Sequence, residues 1–195
     1  MQDLQNSKNF ANHLFYNMRI TILLLLFSQI INAQIDSLTF PASWVGKWQG
    51  TLEIFNEKGK QQELPMQLHI LPIDTANRYT WTIIYGEDAT TGTRAYELVT
   101  VDAERGLYAI DEKNSIQMEA YLLGNKLFQR FEVMGSLLLT TNELRADGTL
   151  SWEIISGKLE PVSITGDEKV EGKDIPAVKA FPIGILQRAI LRLEQ

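Results

Sequence analysis

The sequence contains no cysteine, only two histidines (His13 and His69) and no apolar run as long as a membrane-spanning helix. Each scarcity removes a class of chemistry. Without cysteine there is no disulfide framework, no thiolate metal site, no thiol nucleophile and no cysteine for lipid attachment. Without a Gly-x-Ser-x-Gly elbow, and with one histidine past the first 33 residues, a serine nucleophile has neither its usual turn nor a choice of base. Positive charge is also in short supply. The formal net charge is −6, and the first 33 residues hold Lys8 and Arg19 against a single acid, Asp3, so the remainder is more acidic still. An acidic chain is a poor match for phosphate backbones or anionic membranes, so no nucleic-acid partner is expected.

The longest apolar run, Ile20 to Ile31, follows Met18-Arg19 and precedes Asn32-Ala33-Gln34. A basic start, a hydrophobic core of about 12 residues and a small residue before the cut make a secretory signal. A span that stays in the bilayer needs roughly 20 apolar residues. We therefore expect residues 1–33 to be a signal peptide, with Met18 the true initiator and Gln34 the mature N-terminus. The product is released to the periplasm or medium with no stable membrane anchor. A buried N-terminal strand or helix is the other reading of this run.

From Gly46 onward, apolar and polar residues alternate with a period of two. Trp48, Gly50, Leu52 and Ile54 share one phase, as do Leu64, Met66, Leu68 and Ile70, and then Tyr79, Trp81, Ile83 and Tyr85. Successive strand side chains point to opposite faces, so this pattern marks half-buried strands. Further strands are expected near 93–101, 107–112, 115–122, 126–133, 136–145 and 149–156. Lys113-Asn114, Gly124-Asn125, Met134-Gly135 and Asp147-Gly148 separate them, and connections this short force antiparallel neighbours. The charged stretch 157–174 reads as a loop. Residues 183–193 fit either a helical stripe (Ile183, Leu186, Ile190, Leu193) or a tenth strand (Ile185, Ala189, Leu191, Leu193), and a tenth strand lets the meander close. The expected fold is all-β: one domain, residues 34–195, forming an up-and-down antiparallel barrel of about ten strands.

Phe40-Pro41-Ala42-Ser43-Trp44 leads into Gly46-Lys47-Trp48 at the first strand. A Gly-x-Trp at the head of a strand meander resembles the lipocalin-like (calycin) superfamily, and specifically its uncharacterised exported bacterial members. The resemblance implies a barrel whose tryptophan, here Trp48 beside Gly46, plugs one end. The motif is only a few residues long, and the disulfide and C-terminal helix of typical lipocalins have no clear counterpart here.

For chemistry, His69 falls on the strand face shared with Gln67 and Pro65, opposite the apolar phase, so neither a metal site nor haem ligation is expected from it. Asp111 and Glu112 are adjacent on a strand and point apart, which prevents them from flanking one bond; they read as a solvated hairpin end. No catalytic residue, metal or cofactor is assigned. Met66, Leu68, Trp81, Ile83, Tyr85, Met118, Phe131, Leu139 and Trp152 all read as inward, with Tyr79, Tyr85 and Tyr96 as polar handles. Of these, Met66, Leu68, Trp81, Tyr85, Met118, Phe131 and Trp152 are the ligand-pocket candidates. The expected function is an exported, non-enzymatic barrel binding a small apolar or amphipathic molecule. The alternatives are a solid-core protein-interaction module using segments 86–92 and 157–174, and a haem-binding barrel.

Overall fold

The computed structural model describes residues 39–194, so the expected signal peptide and its cleavage site lie outside the described residues. Nine strands follow in sequence: β1 (Gly46–Asn56), β2 (Gly59–Ile70), β3 (Arg78–Tyr85), β4 (Thr93–Asp102), β5 (Leu107–Asp111), β6 (Gln117–Leu123), β7 (Lys126–Val133), β8 (Ser136–Leu144) and β9 (Leu150–Lys158). Each pairs antiparallel with the next. Four short strands come after them, β10 (Ser163–Thr165), β11 (Glu168–Val170), β12 (Lys173–Ile175) and β13 (Val178–Ala180), and β14 (Ile185–Leu193) ends the series.

The segment 183–193 resolves to the strand rather than the helix. β14 lies between β1 and β9 and completes a closed barrel of ten strands. Closure gives hydrogen-bonding partners to the free edges of both β1 and β9. No helical conformation of this segment provides that. Of the strand phase, Ala189 and Leu191 in the middle are buried while Ile185 and Leu193 at its ends are exposed, as are Ile183 and Ile190 from the helical stripe.

The segment 157–174 is not a plain loop. β9 continues through Lys158, and the chain then folds back on itself as two small ladders, β10 with β13 and β11 with β12. Every residue of these four strands is exposed. The sequence showed only charge and glycine here because a two-stranded arm without a buried face carries no alternation to read.

Inside the barrel the apolar phases converge. Trp48, Leu52, Met66, Leu68, Ile70, Trp81, Ile83, Leu98, Ile110, Leu127, Leu150, Trp152 and Leu191 are all buried in one cluster. Leu139 is a correction. It is partly exposed and faces outward, because Thr140 and Asn142, its neighbours in the opposite phase, are the buried ones. The run Leu137-Leu138-Leu139 carries no phase of its own. Two glycines allow close approaches that a side chain would block. A Cβ on Gly46 (φ 153°) would collide with Leu193, and one on Gly50 with the Ile190 carbonyl.

One seam is short. The β6–β7 ladder holds only three pairs, Tyr121↔Phe128, Leu122↔Leu127 and Leu123↔Lys126. On either side, all of β5 is paired to β6 and all of β7 to β8.

Candidate functional site

The two ends of the barrel differ. One end carries the start of β1, the end of β2 and the start of β5. There a single 3-10 turn, Ala42–Trp44, precedes β1. Trp44 is fully buried and Trp48 nearly so. The Trp48 indole Nε1–H donates to the Trp44 carbonyl at 2.9 Å. Phe40 stacks edge-on against both Trp44 (4.6 Å) and Tyr108 (4.7 Å), and the Tyr108 hydroxyl donates to the Phe40 carbonyl at 3.3 Å. Aromatic edges pack against faces at this end. The lead-in peptide therefore supplies as much of the plug as Gly46 and Trp48 do.

The opposite end is hollow. A cavity of about 150 Å³ lies among β3–β9. Its aromatic wall is Trp81, Tyr85, Tyr96, Phe131 and Trp152, with Tyr85 and Trp152 edge-to-face at 6.3 Å. Ile83, Ile110, Met118 and Ile154 complete the apolar lining. Gln129, Thr140 and Asn142 form a polar floor, and Glu112 sits at the partly exposed rim.

Five of the seven pocket candidates, Trp81, Tyr85, Met118, Phe131 and Trp152, thus line one cavity. Met66 and Leu68 do not. Leu68 pairs with Trp48 and Met66 with Gly50, which places both in the packed half of the core. Strand phase names a face but not a position around the barrel: Met66 and Leu68 stand level with Tyr85 and Ile83, but on β2, whereas the cavity lies against β3–β9.

The polar floor was the missed signal. Gln129 lies two residues from Leu127 and two from Phe131, while Thr140 and Asn142 share the phase of Leu138 and Leu144. Their inward direction was therefore readable. Gln129 and Asn142 are only 6% and 2% exposed. The Thr140 hydroxyl donates to Gln129 Oε1 at 3.1 Å. Among the described residues, three buried side-chain atoms have no hydrogen-bond partner: Trp44 Nε1 in the plug, and Gln129 Nε2 and Asn142 Oδ1 at this floor.

Electrostatics sharpen the site. Burial pushes the Tyr85 phenol up to about 12, with Tyr96 nearby adding to the effect. Burial, and then the Glu112 carboxylate, raises Tyr96 as well. At neutral pH both phenols are uncharged hydrogen-bond donors.

Asp111 and Glu112 do point apart, but the pair is not simply solvated. Asp111 is nearly buried on the outer wall. It receives the Lys113 backbone N–H at 2.9 Å, the Arg78 guanidinium at 3.2 Å and the Gln117 amide at 3.3 Å. The Lys113 N–H first, and Arg78 after it, hold its carboxyl below the usual range. Glu97 joins the cluster through Lys113 at 2.7 Å and Arg78 at 2.6 Å, which lower its own carboxyl. Glu112 turns inward instead, to the cavity rim.

His69 lies on the outer face, 3.0 Å from Gln67 Oε1, and burial followed by the Lys47 charge depresses its ring. The cavity lining contains no imidazole. A wider depression of about 560 Å³ lies on the outer wall among Glu53, Glu153, Arg188 and Arg192. Its Glu53 and Arg188 already pair at 3.1 Å.

No protein-family model matches this sequence, and no curated protein does. A solved structure of a DUF3598-family protein of unknown function from Nostoc punctiforme is similar in fold, with a TM-score of 0.50 and 14% identity. The likeness covers 76% of this chain and 47% of that one, so this chain spans about half the length of its structural neighbour. At that identity the likeness concerns the fold alone, which in this chain is a closed ten-strand antiparallel β-barrel.

Proposed function

We propose that this protein is an exported, non-enzymatic binding barrel of lipocalin-like type, which holds one small molecule in the cavity at its unplugged end. The observation that carries the reading is the cavity itself. It has an aromatic wall, a polar floor and a partly exposed rim, the composition expected of a small-molecule site. The Gly46-x-Trp48 motif at the head of β1 and the aromatic plug behind it support the lipocalin-like assignment. The segment 18–34 supports export.

Size narrows the ligand. A volume near 150 Å³ suits one ring and is too small to enclose an acyl chain. The test is native mass spectrometry of protein purified from its own source, looking for a retained small mass. The control is Met118→Trp, which fills the cavity. Retained mass that is lost in the variant supports the reading. An unliganded natural protein that binds no probe counts against it.

A second reading keeps some support from the arm formed by β10–β13. Val162, Ile164, Val178 and Phe181 are all exposed on it, and a group of exposed apolar side chains on one arm suits contact with another protein. Deleting the arm separates the two readings, since ligand retention depends on the barrel and partner capture on the arm.

A further inference from the structure

We infer that the ligand is an uncharged single ring carrying both a hydrogen-bond acceptor and a hydrogen-bond donor, as a heterocyclic amide does. This rests on the binding role proposed above and concerns which molecule fills the site. The two orphan groups at the floor set the chemistry. Gln129 Nε2 is a donor and Asn142 Oδ1 an acceptor. Both side chains are more than nine-tenths buried, and neither atom has a partner among the described residues.

The Thr140 hydroxyl engages Gln129 Oε1 and so directs the amide nitrogen away from it. A hydrocarbon guest would seal both orphans from water, leaving their desolvation unrelieved. A ring with a carbonyl for Gln129 and an N–H or O–H for Asn142 satisfies them. Gln129 is paired across the strands with Thr140, and Asn142 lies two residues further along β8, roughly 7 Å away. The complementary groups therefore belong on different edges of one ring.

Charge is not called for. The rim offers the Glu112 carboxylate, with Arg94 close to Tyr85 and Tyr96, and the floor offers neutral amides only. Burying a net charge against them has no compensation. The wall residues Trp81 and Trp152 supply flat apolar faces for the ring.

The experiment compares 4-pyridone, whose carbonyl and N–H lie on opposite edges, with benzene, a ring of similar size without polar groups. Binding to the natural protein is followed through the indole N–H resonances of Trp81 and Trp152. We expect 4-pyridone to bind at least about tenfold tighter than benzene. Gln129→Leu and Asn142→Leu, each shown to be folded by thermal unfolding, should erase or reverse that ratio. Thr140→Val, which removes the hydroxyl orienting Gln129, should reduce it and serves if a leucine variant does not fold. Benzene binding as tightly as 4-pyridone, or a ratio that survives all these substitutions, overturns the inference while leaving the binding role standing. If neither probe moves either resonance, both are overturned.

Discussion

Removing the Trp48 ring tests whether the plugged end anchors the barrel. An aromatic side chain buries roughly 150–250 Å². At about 25 cal/mol per Å² that corresponds to roughly 4–6 kcal/mol of transfer free energy, an upper bound because the unfolded chain already hides some surface. Trp48 is 4% exposed, so nearly all of its area counts. Alanine also abandons the Trp44 carbonyl, which the indole engages at 2.9 Å, at about 1 kcal/mol. Partial collapse of Leu193 and Leu68 toward the void offsets part of this. We therefore expect Trp48→Ala to cost about 3–5 kcal/mol. Urea unfolding followed by far-ultraviolet circular dichroism measures it as a lowered midpoint at unchanged slope. For a chain of this size the thermal midpoint should fall by roughly 6–20 °C. Trp48→Phe keeps most of the ring but not the indole N–H, and should lose about 1–2 kcal/mol. A loss below about 1 kcal/mol for the alanine variant would refute the anchoring role, since surface substitutions cost little more than half of that.

Met118→Trp should block single-ring probes while the β-sheet signal and unfolding midpoint hold, because the new ring occupies the cavity; unfolding of the variant would mean that the site is already filled. The Asp111 and Glu97 carboxyls titrate lower in the folded protein than in the unfolded chain. Their contribution is thus present above the unfolded values and is lost as pH falls through the folded ones. Arg78→Met should accordingly flatten the fall in stability below about pH 4, and an unchanged slope in acid unfolding would contradict the pairing. Ultraviolet titration should find a tyrosine ionising near 12 that disappears in Tyr85→Phe; a tyrosine set titrating wholly near 10 would not fit. Replacing residues 161–181 with a short Asn-Gly turn should leave the barrel intact, because Ser156 already pairs with Ile185. A collapse of the sheet signal would show that the arm is structural.

What the sequence disclosed follows from the physics of a half-buried strand. Alternation in 48–54, 64–70 and 79–85 was legible because the outer wall is polar and the inner wall apolar. Lys126–Val133 matched the observed β7 to the residue for the same reason. Reading failed where that contrast vanishes. Leu137, Leu138 and Leu139 are apolar on both faces, so the phase of β8 is set by Thr140 and Asn142, polar residues that face inward against the usual contrast. Gln129 breaks the contrast in the same way, a polar residue on the inward phase of β7, and with it goes the floor of the cavity. The closing strand β14 was ambiguous since its sequence serves two periodicities, and only the unpaired edges of β1 and β9, which are 100 or so residues apart, decide between them.

A closed barrel has no edge from which to unzip, yet here the three-pair seam between β6 and β7 leaves Gln117–Ala120 and Gln129–Val133 without partners across it. Local opening is easiest where few buried contacts and few backbone hydrogen bonds hold a stretch in place. Met118, Gln129 and Phe131 stand on these two stretches and also line the cavity. This short ladder therefore runs alongside the hollow, so that parting the seam exposes the hollow sideways rather than through its mouth. Amide exchange should then be fastest along these stretches in the free protein and slow on ligand binding, while the β8 and β9 amides behind them stay protected in both states. Uniform protection around the barrel would mean that the seam is closed by contacts other than its ladder.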